Sequence, residues 1–199
     1  MDIKKIIIGS TLLLLLGNGT AVAADLVKGI GAFKSGKYKT ALAELRPLAE
    51  QGDDMAQYIL GAMYRLGKGV PMNEKIGVMW LTKAAEQGRA DAQYYVGTSA
   101  FWGNGMPLNY KIAQKWFTKA AKQGHGDAQD FVGHGYEYGQ GVLKDFVRAY
   151  MWYNLSVYND GGAGPEENLR LIAQKMTRAD VSRAQDMSSR CFSSGYTDC

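Results

Sequence analysis

A repeat with a period of 36 residues is the feature that most constrains the fold of this 199-residue chain. An Ala-Gln pair, a Gly-x-Gly element and a tryptophan each recur three times in the same phase. Self-similarity at a fixed period of roughly 20–50 residues is typical of stacked supersecondary units, so the pattern predicts three copies of one module. The pairs begin at Ala56, Ala92 and Ala128, the glycine elements at Gly67, Gly103 and Gly139, and the tryptophans are Trp80, Trp116 and Trp152.

Apolar spacing predicts two helices in each module. In the first module Ala56, Leu60 and Tyr64 fall on one face of a helix, and Trp80 and Ala84 fall on one face of a second. The Gly-x-Gly element separates the two helices, and another repeated glycine ends the second. A short acidic side chain before each first helix can cap its free N–H groups. The three candidate caps are Asp54, Asp91 and Asp127.

Glycines inside the first helices indicate that two helices pack closely. A glycine in a helix interior costs about 1 kcal/mol relative to alanine, so its repetition at one position needs a reason. The three repeated glycines are Gly61, Gly97 and Gly133. The small residues expected to face them on the second helices are Gly77, Ala113 and Ala149.

These motifs resemble the Sel1-like repeat family, a relative of the tetratricopeptide repeats. The resemblance rests on Ala-Gln-x-x-Leu/Val-Gly, Gly-x-Gly, the tryptophan and Lys-Ala-Ala-Glu-Gln-Gly, and it covers about residues 54–160. It implies an all-α, right-handed solenoid of helix–turn–helix repeats with a C-terminal helical cap. The expected divisions are a tetratricopeptide-like hairpin at 25–53, repeats at 54–89, 90–125 and 126–162, and the cap and tail at 163–199.

Two further helices are expected after the repeats. Pro165 suits the first position of one helix, which then runs to about Met176. Thr177 and Asp180 have the spacing of a capping box and predict the start of a last helix that ends near Cys191.

Residues 1–24 are predicted to be a secretory signal peptide. Two lysines precede an apolar run over 6–16, which is too short to span a bilayer comfortably, and cleavage is expected after Ala23 or Ala24. The sequence therefore predicts a bacterial protein located in the periplasm or secreted. An uncleaved N-terminal anchor is the alternative.

The only two cysteines, Cys191 and Cys199, lie close together near the C-terminus. In an oxidising compartment such a pair is expected to form one bridge; free thiols and an intermolecular bridge are the alternatives. The formal charge of +4 is spread among interleaved acidic and basic residues. Nucleic-acid binding would need a concentrated basic stripe, so we expect none.

The sequence offers few candidates for catalysis. Lys34-Ser35-Gly36 is similar to a box of penicillin-recognising serine enzymes, but the Ser-x-x-Lys motif that supplies their nucleophile is absent from the sequence. His125 and His134 have no Cys or carboxylate at metal-ligand spacing. We expect no catalytic residue, no metal and no cofactor. The alternative is a β-lactam-binding or β-lactam-hydrolysing enzyme of the secreted Sel1-like type.

The resemblance implies a ligand groove on the concave face formed by the first helices. The expected ligand is a peptide or partner protein, with no stable membrane insertion after signal cleavage; the sequence does not fix the oligomeric state. Aromatic and arginine side chains, which binding hot spots favour, are frequent at the implied positions. The groove residues implied by the register are Tyr58, Arg65, Tyr94, Thr98, Phe101, Trp102, Asp130, His134, Glu137 and Tyr138.

Overall fold

A computed structural model describes residues 26–160 and 163–199, which form ten helices and no strand. The predicted signal peptide lies outside the described residues. The helices are α1 (26–34), α2 (Tyr38–Glu50), α3 (Asp54–Leu66), α4 (Glu74–Glu86), α5 (Ala90–Trp102), α6 (Tyr110–Ala121), α7 (Gly126–Tyr138), α8 (Phe146–Asp160), α9 (Ala163–Ala173) and α10 (Arg178–Ser193).

The helices pack as a linear stack of hairpins. The three predicted modules are the hairpins α3–α4, α5–α6 and α7–α8, and each second helix also packs against the first helix of the next hairpin. Helix α2 packs on α3 at one end, while α9 and α10 pack on α8 at the other. This nearest-neighbour packing confirms the predicted all-α solenoid. In the described part of the chain, no helix is both long enough and apolar enough to cross a membrane.

The N-cap residues of the three first helices lie one or two positions before the predicted caps. Asp53 caps α3 and His125 caps α7, each accepting a hydrogen bond from the backbone N–H three residues on, at 2.7 and 3.3 Å. Arg89 precedes α5 and makes no side-chain cap. The predicted caps were therefore wrong; they lie inside the first turns, where a negative charge favours the positive end of the helix. These residues are Asp54, Asp91 and Asp127.

The predicted close approach at the helical glycines is confirmed. A Cβ atom on Gly61 would lie 2.7 Å from Cγ of Leu81 and 3.0 Å from the carbonyl oxygen of Gly77. These distances are too short for any side chain, so the two helices of a hairpin can meet only where this position is glycine. The corresponding contacts are those of Gly97 with Phe117 and of Gly133 with Tyr153.

A ladder of side-chain amides joins successive hairpins. A buried glutamine near the start of each first helix donates to a carbonyl at the end of the preceding second helix, at 3.0–3.1 Å. The same glutamine accepts from an amide at the end of its own hairpin, at 2.8–2.9 Å. The pairs are Gln57 with Gln87, Gln93 with Gln123, and Gln129 with Asn159. Buried amide groups are thus satisfied repeat after repeat.

The C-terminal segment closes the stack much as predicted. Thr177 caps α10 by accepting from the N–H of Asp180 at 3.1 Å, and α10 ends at Ser193. Helix α9 begins at Ala163, two residues before Pro165. Cys191 is buried and forms the predicted bridge with Cys199. The bridge holds the tail so that the hydroxyl of Tyr196 donates to Asn159, at 2.8 Å, at the end of the amide ladder.

Candidate ligand-binding surface

Helices α3, α5 and α7 present equivalent half-buried positions that we call the first-helix surface. Two positions one helical turn apart define it in each helix, and their side chains are half-buried in all three copies. Their identities differ between repeats, unlike those of the ladder glutamines and helical glycines. The surface consists of Tyr58 and Ala62, Tyr94 and Thr98, and Asp130 and His134.

Between α3 and α5 the surface opens into a small cleft. The guanidinium carbon of Arg65 lies 4.9 Å from the ring centroid of Tyr95, and the ring of Tyr58 lies 6.1 Å from the same ring. This arrangement gives an aromatic wall with one cation against it. Tyr95 was missed in the sequence because the equivalent residues are Ile59 and Phe131, so no repeated pattern marks it. The cleft holds about 120 Å³ and is lined by Ala62, Arg65, Leu66, Leu81 and Tyr95.

Two tyrosines of the surface keep their hydroxyl protons. Burial raises the pKa of Tyr58 to about 12, and the neighbouring Tyr95 adds to the rise. Burial also raises the pKa of Tyr94 to about 12, with Asp127 contributing. A tyrosine with the ordinary pKa of about 10 is already neutral at physiological pH, so the rise only strengthens that state, and both hydroxyls can donate hydrogen bonds. The ring of Tyr94 stacks on His125, with centroids 4.8 Å apart, which fixes its orientation.

The predicted pair at the end of α5 divides into one buried and one exposed residue. Phe101 is buried, and its ring centroid lies 5.4 Å from that of Phe131 on α7, so it packs between first helices. Trp102 is 61% exposed and packs edge-on against Phe101, with centroids 4.7 Å apart. Thr98 is half-buried, and its hydroxyl donates to the carbonyl oxygen of Tyr95 at 2.9 Å. Only Trp102 and Thr98 of these residues present side-chain area to a ligand.

On α7 the predicted histidine lies beside an exposed tyrosine. The rings of His134 and Tyr138 are 4.5 Å apart, and Tyr138 is largely exposed. The Nδ1 atom of His134 is buried and has no hydrogen-bond partner among the described residues. A buried polar atom without a partner is uncommon in a folded protein. This atom is a point at which a ligand or water could add a hydrogen bond.

Asp130 and Glu137 hold the C-terminal cap. Asp130 accepts from Asn168 of α9 at 2.9 Å, and Glu137 accepts from Lys175 at 2.7 Å and from Tyr153 at 2.8 Å. Burial raises the pKa of Asp130, and the hydrogen bond from Asn168 opposes that rise only in part. Burial also acts to raise the pKa of Glu137, but the hydrogen bonds from Lys175 and Tyr153 outweigh it and lower the pKa. Both carboxylates are already occupied by the cap.

The residues considered for chemistry are dispersed. Ser35 lies in the turn between α1 and α2, where its hydroxyl donates to the carbonyl oxygen of Gly31 at 2.8 Å. His125 is the helix cap described above, while His134 lies in the middle of α7. Within residues 26–160 and 163–199, no group of three or more His, Cys, Asp or Glu side chains could hold a metal ion.

Comparison with known proteins places the repeats in a known family. The family model described as Sel1 repeat matches residues 54–88, 90–125 and 126–160, which is more than half of the chain. No curated protein matches the sequence.

Two solved structures resemble the whole stack. The crystal structure of a protective antigen present in uropathogenic Escherichia coli strains, which displays an SLR fold, is similar with a TM-score of 0.80 and 28% identity. The match covers 90% of this chain but 40% of the antigen, so the chain spans less than half of that protein. A Sel1 repeat protein from Oxalobacter formigenes is similar with a TM-score of 0.64 and 29% identity, over 86% of this chain and 77% of that one.

Proposed function

Because this chain belongs to the Sel1 repeat family, whose repeats generally mediate protein–protein interaction, we propose that it is a non-catalytic scaffold. It binds a peptide segment or a partner protein along the first-helix surface. The cleft between α3 and α5 is the observation that carries this proposal. Tyrosine and arginine are among the residues enriched in binding hot spots. Arg65 and Tyr95 line the cleft, and the ring of Tyr58 lies beside that of Tyr95.

We place this function in the periplasm or outside the cell. The support is the predicted signal peptide over residues 1–24 together with the bridge between Cys191 and Cys199. Disulfides persist in oxidising compartments and are rare in the cytosol. The expected partner is therefore itself an envelope or secreted protein.

Site-specific photo-crosslinking tests the scaffold proposal. A photoreactive amino acid at Thr98 is expected to give one discrete adduct with a partner in living cells, because Thr98 is half-buried at the centre of the surface. The same amino acid at Lys115, on the exposed face of α6, is the matched control. Replacing Tyr58 or Arg65 by alanine is expected to weaken partner binding by more than about tenfold.

The proposal is contradicted if Lys115 gives the same adduct as Thr98. It is also contradicted if the Tyr58 and Arg65 variants retain full crosslinking at Thr98. Both variants change half-buried side chains, so an unchanged helical circular dichroism spectrum must accompany any loss of the adduct.

A further inference from the structure

The two long edges of the solenoid differ in charge. We call the edge that contains the turns from first to second helices the lysine edge; it comprises residues 34–39, 66–75, 102–111 and 138–145. The other edge, with the turns at 50–54, 86–91 and 122–127, has six acidic residues against one arginine and one lysine. The lysine edge has seven lysines against Glu74 and Asp145. Its lysines are Lys34, Lys37, Lys39, Lys68, Lys75, Lys111 and Lys144.

Successive turns of the lysine edge touch one another. Both glycines of each Gly-x-Gly turn are left-handed, and the second one lies directly against the start of the second helix of the preceding hairpin. A Cβ atom on Gly69 would lie 2.7 Å from Cβ of Tyr38, and one on Gly105 would lie 2.6 Å from the carbonyl oxygen of Glu74. Gly141 makes the same close contact with the backbone of Tyr110. The four turns therefore form one continuous edge.

Large apolar side chains project from this edge into solvent. Three of them end the first helices at the same repeat position, and three more lie in the turns that follow. They are between 55% and 90% exposed. Exposed apolar side chains repeated along one edge are typical of an interaction surface. The six residues are Leu66, Met72, Trp102, Leu108, Tyr138 and Leu143.

The positive charge of the edge is not neutralised by its own acids. Glu74 is paired with Arg65 at 3.3 Å, and Asp145 with Arg148 at 3.6 Å. In the part of the chain that the structure describes, none of the seven lysines lies within ion-pair distance of a carboxylate. Lys68 and Lys144 lie over aromatic rings instead, which holds their ammonium groups at the edge.

We propose that the lysine edge docks peripherally on an anionic lipid surface. Lysines flanking exposed Trp, Tyr, Leu and Met are the composition of protein surfaces that lie in the membrane interface. A row of projecting side chains, rather than a groove, suits a fluid surface that needs no shape complementarity. The acidic opposite edge is repelled by anionic headgroups and would face away from them, which sets the orientation. This role is distinct from the scaffold function, although Leu66 belongs both to the lysine edge and to the lining of the cleft between α3 and α5.

Vesicle sedimentation tests the proposal. The exported, processed protein is mixed with vesicles of phosphatidylglycerol and phosphatidylcholine, or of phosphatidylcholine alone. We expect binding to the anionic vesicles, weakened by salt, and at least tenfold weaker binding to the neutral ones. Replacing Lys34, Lys37 and Lys111 together by glutamine should lower affinity for the anionic vesicles about a hundredfold, since each lysine near the surface is worth about 1 kcal/mol.

A matched pair of triple variants separates the edge from general surface charge. Met72→Glu, Leu108→Glu and Leu143→Glu change the edge. The control changes three exposed apolar residues elsewhere and alters net charge by the same amount. We expect the edge triple to lose binding and the control triple to retain it. The control substitutions are Val27→Glu, Met79→Glu and Tyr158→Glu.

Tryptophan emission provides a second readout. Trp102 is the one largely exposed tryptophan, since Trp80 and Trp152 are buried and Trp116 is half-buried. Its emission should shift to shorter wavelength on anionic vesicles, and Trp102→Phe should remove the shift.

Absence of binding to anionic vesicles, equal binding to neutral vesicles, or equal loss in both triple variants overturns the proposal. Crosslinking at Thr98 in the edge triple keeps the two proposals apart. If the adduct persists while vesicle binding is lost, the scaffold function stands independently. Matching thermal midpoints show that each variant is folded.

Discussion

Close helix packing in this protein depends on single glycines, and Gly97 illustrates the requirement. A Cβ atom there would lie 2.6 Å from the ring of Phe117, whereas a Cβ atom on Gly31 would meet nothing within 4 Å. Both residues lie inside helices, so both lose the same helix propensity by being glycine. The two positions therefore differ only in the room available for a Cβ atom.

Alanine at these two positions should have opposite effects on stability. Gly97→Ala is expected to lower the free energy of unfolding by about 1–3 kcal/mol, because the ring of Phe117 must move in a packed core. Gly31→Ala is expected to raise it by about 0.5–1 kcal/mol through helix propensity. Urea denaturation followed by circular dichroism measures both. A stabilising Gly97→Ala would show that the interhelix contact is looser than the structure has it.

The contacts of residues that recur every 36 positions were predictable from the sequence. The contacts of residues whose identity changes from repeat to repeat were not. The contact of Gly61 with Gly77 follows from the repeat because every copy imposes the same local requirement. Phe101 was expected in an open groove, yet it is buried because it faces α7 rather than solvent. Its phase-equivalent residues are Arg65 and Glu137, which share neither size nor polarity, so no pattern indicated which neighbour it meets.

At the scale of helices, α9 takes the place that a further first helix would occupy. Asn168 of α9 donates to Asp130, and Lys175 donates to Glu137. Phe101 of α5 packs against Phe131 of the same helix α7. The sequence could not show this substitution because residues 163–199 do not keep the 36-residue phase. The cap is consequently joined to α7 by the charged and amide side chains of Lys175 and Asn168 rather than by residues of the repeat motif.

The hydrogen bonds and burial at Glu137 and Asp130 make the stability of the protein depend on pH in opposite ways. The pKa of Glu137 is lowered on folding, so its contribution is complete above the unfolded pKa, near 4.5, and is lost as pH falls through the folded pKa below that value. The pKa of Asp130 is raised on folding, so the folded state binds its proton first and gains stability as pH falls.

Two amide variants test this assignment. Glu137→Gln should lower the free energy of unfolding at neutral pH by about 1–2 kcal/mol, and it should make the acid decline shallower. Asp130→Asn should make the acid decline steeper, because it removes the opposing titration. Denaturation curves between about pH 7 and about pH 3 measure both slopes. Parallel acid declines in the two variants would contradict the opposite shifts.

At the scale of the whole molecule, the solenoid has no core shared by its two ends. Each hairpin packs on its sequence neighbours, so stability is set locally and passed on through interfaces. Leu45 is fully buried among the first four helices, whereas Tyr153 is fully buried between α7 and the cap. A destabilising substitution at one end should therefore lower the local stability mainly of the helices at that end.

Hydrogen exchange can show this locality. Leu45→Ala removes a buried side chain, at a typical cost of about 2–5 kcal/mol. We expect faster amide exchange in α1, α2 and α3, with little change in α7 and α8. The mirror substitution Ile172→Ala, in the cap, should accelerate exchange in α8, α9 and α10 instead. Uniform acceleration along the chain in either variant would mean that the stack unfolds as one unit.

The occupied end of the amide ladder bears on how copies of this protein can assemble. In a solenoid, the last rung is the natural attachment point for the first hairpin of another molecule, and such head-to-tail contacts grow into filaments unless the rotation closes them into a ring. Here the hydroxyl of Tyr196 already fills that rung at Asn159. The bridge between Cys191 and Cys199 keeps the tail in place. While the tail stays there, this rung is not available to another copy of the chain.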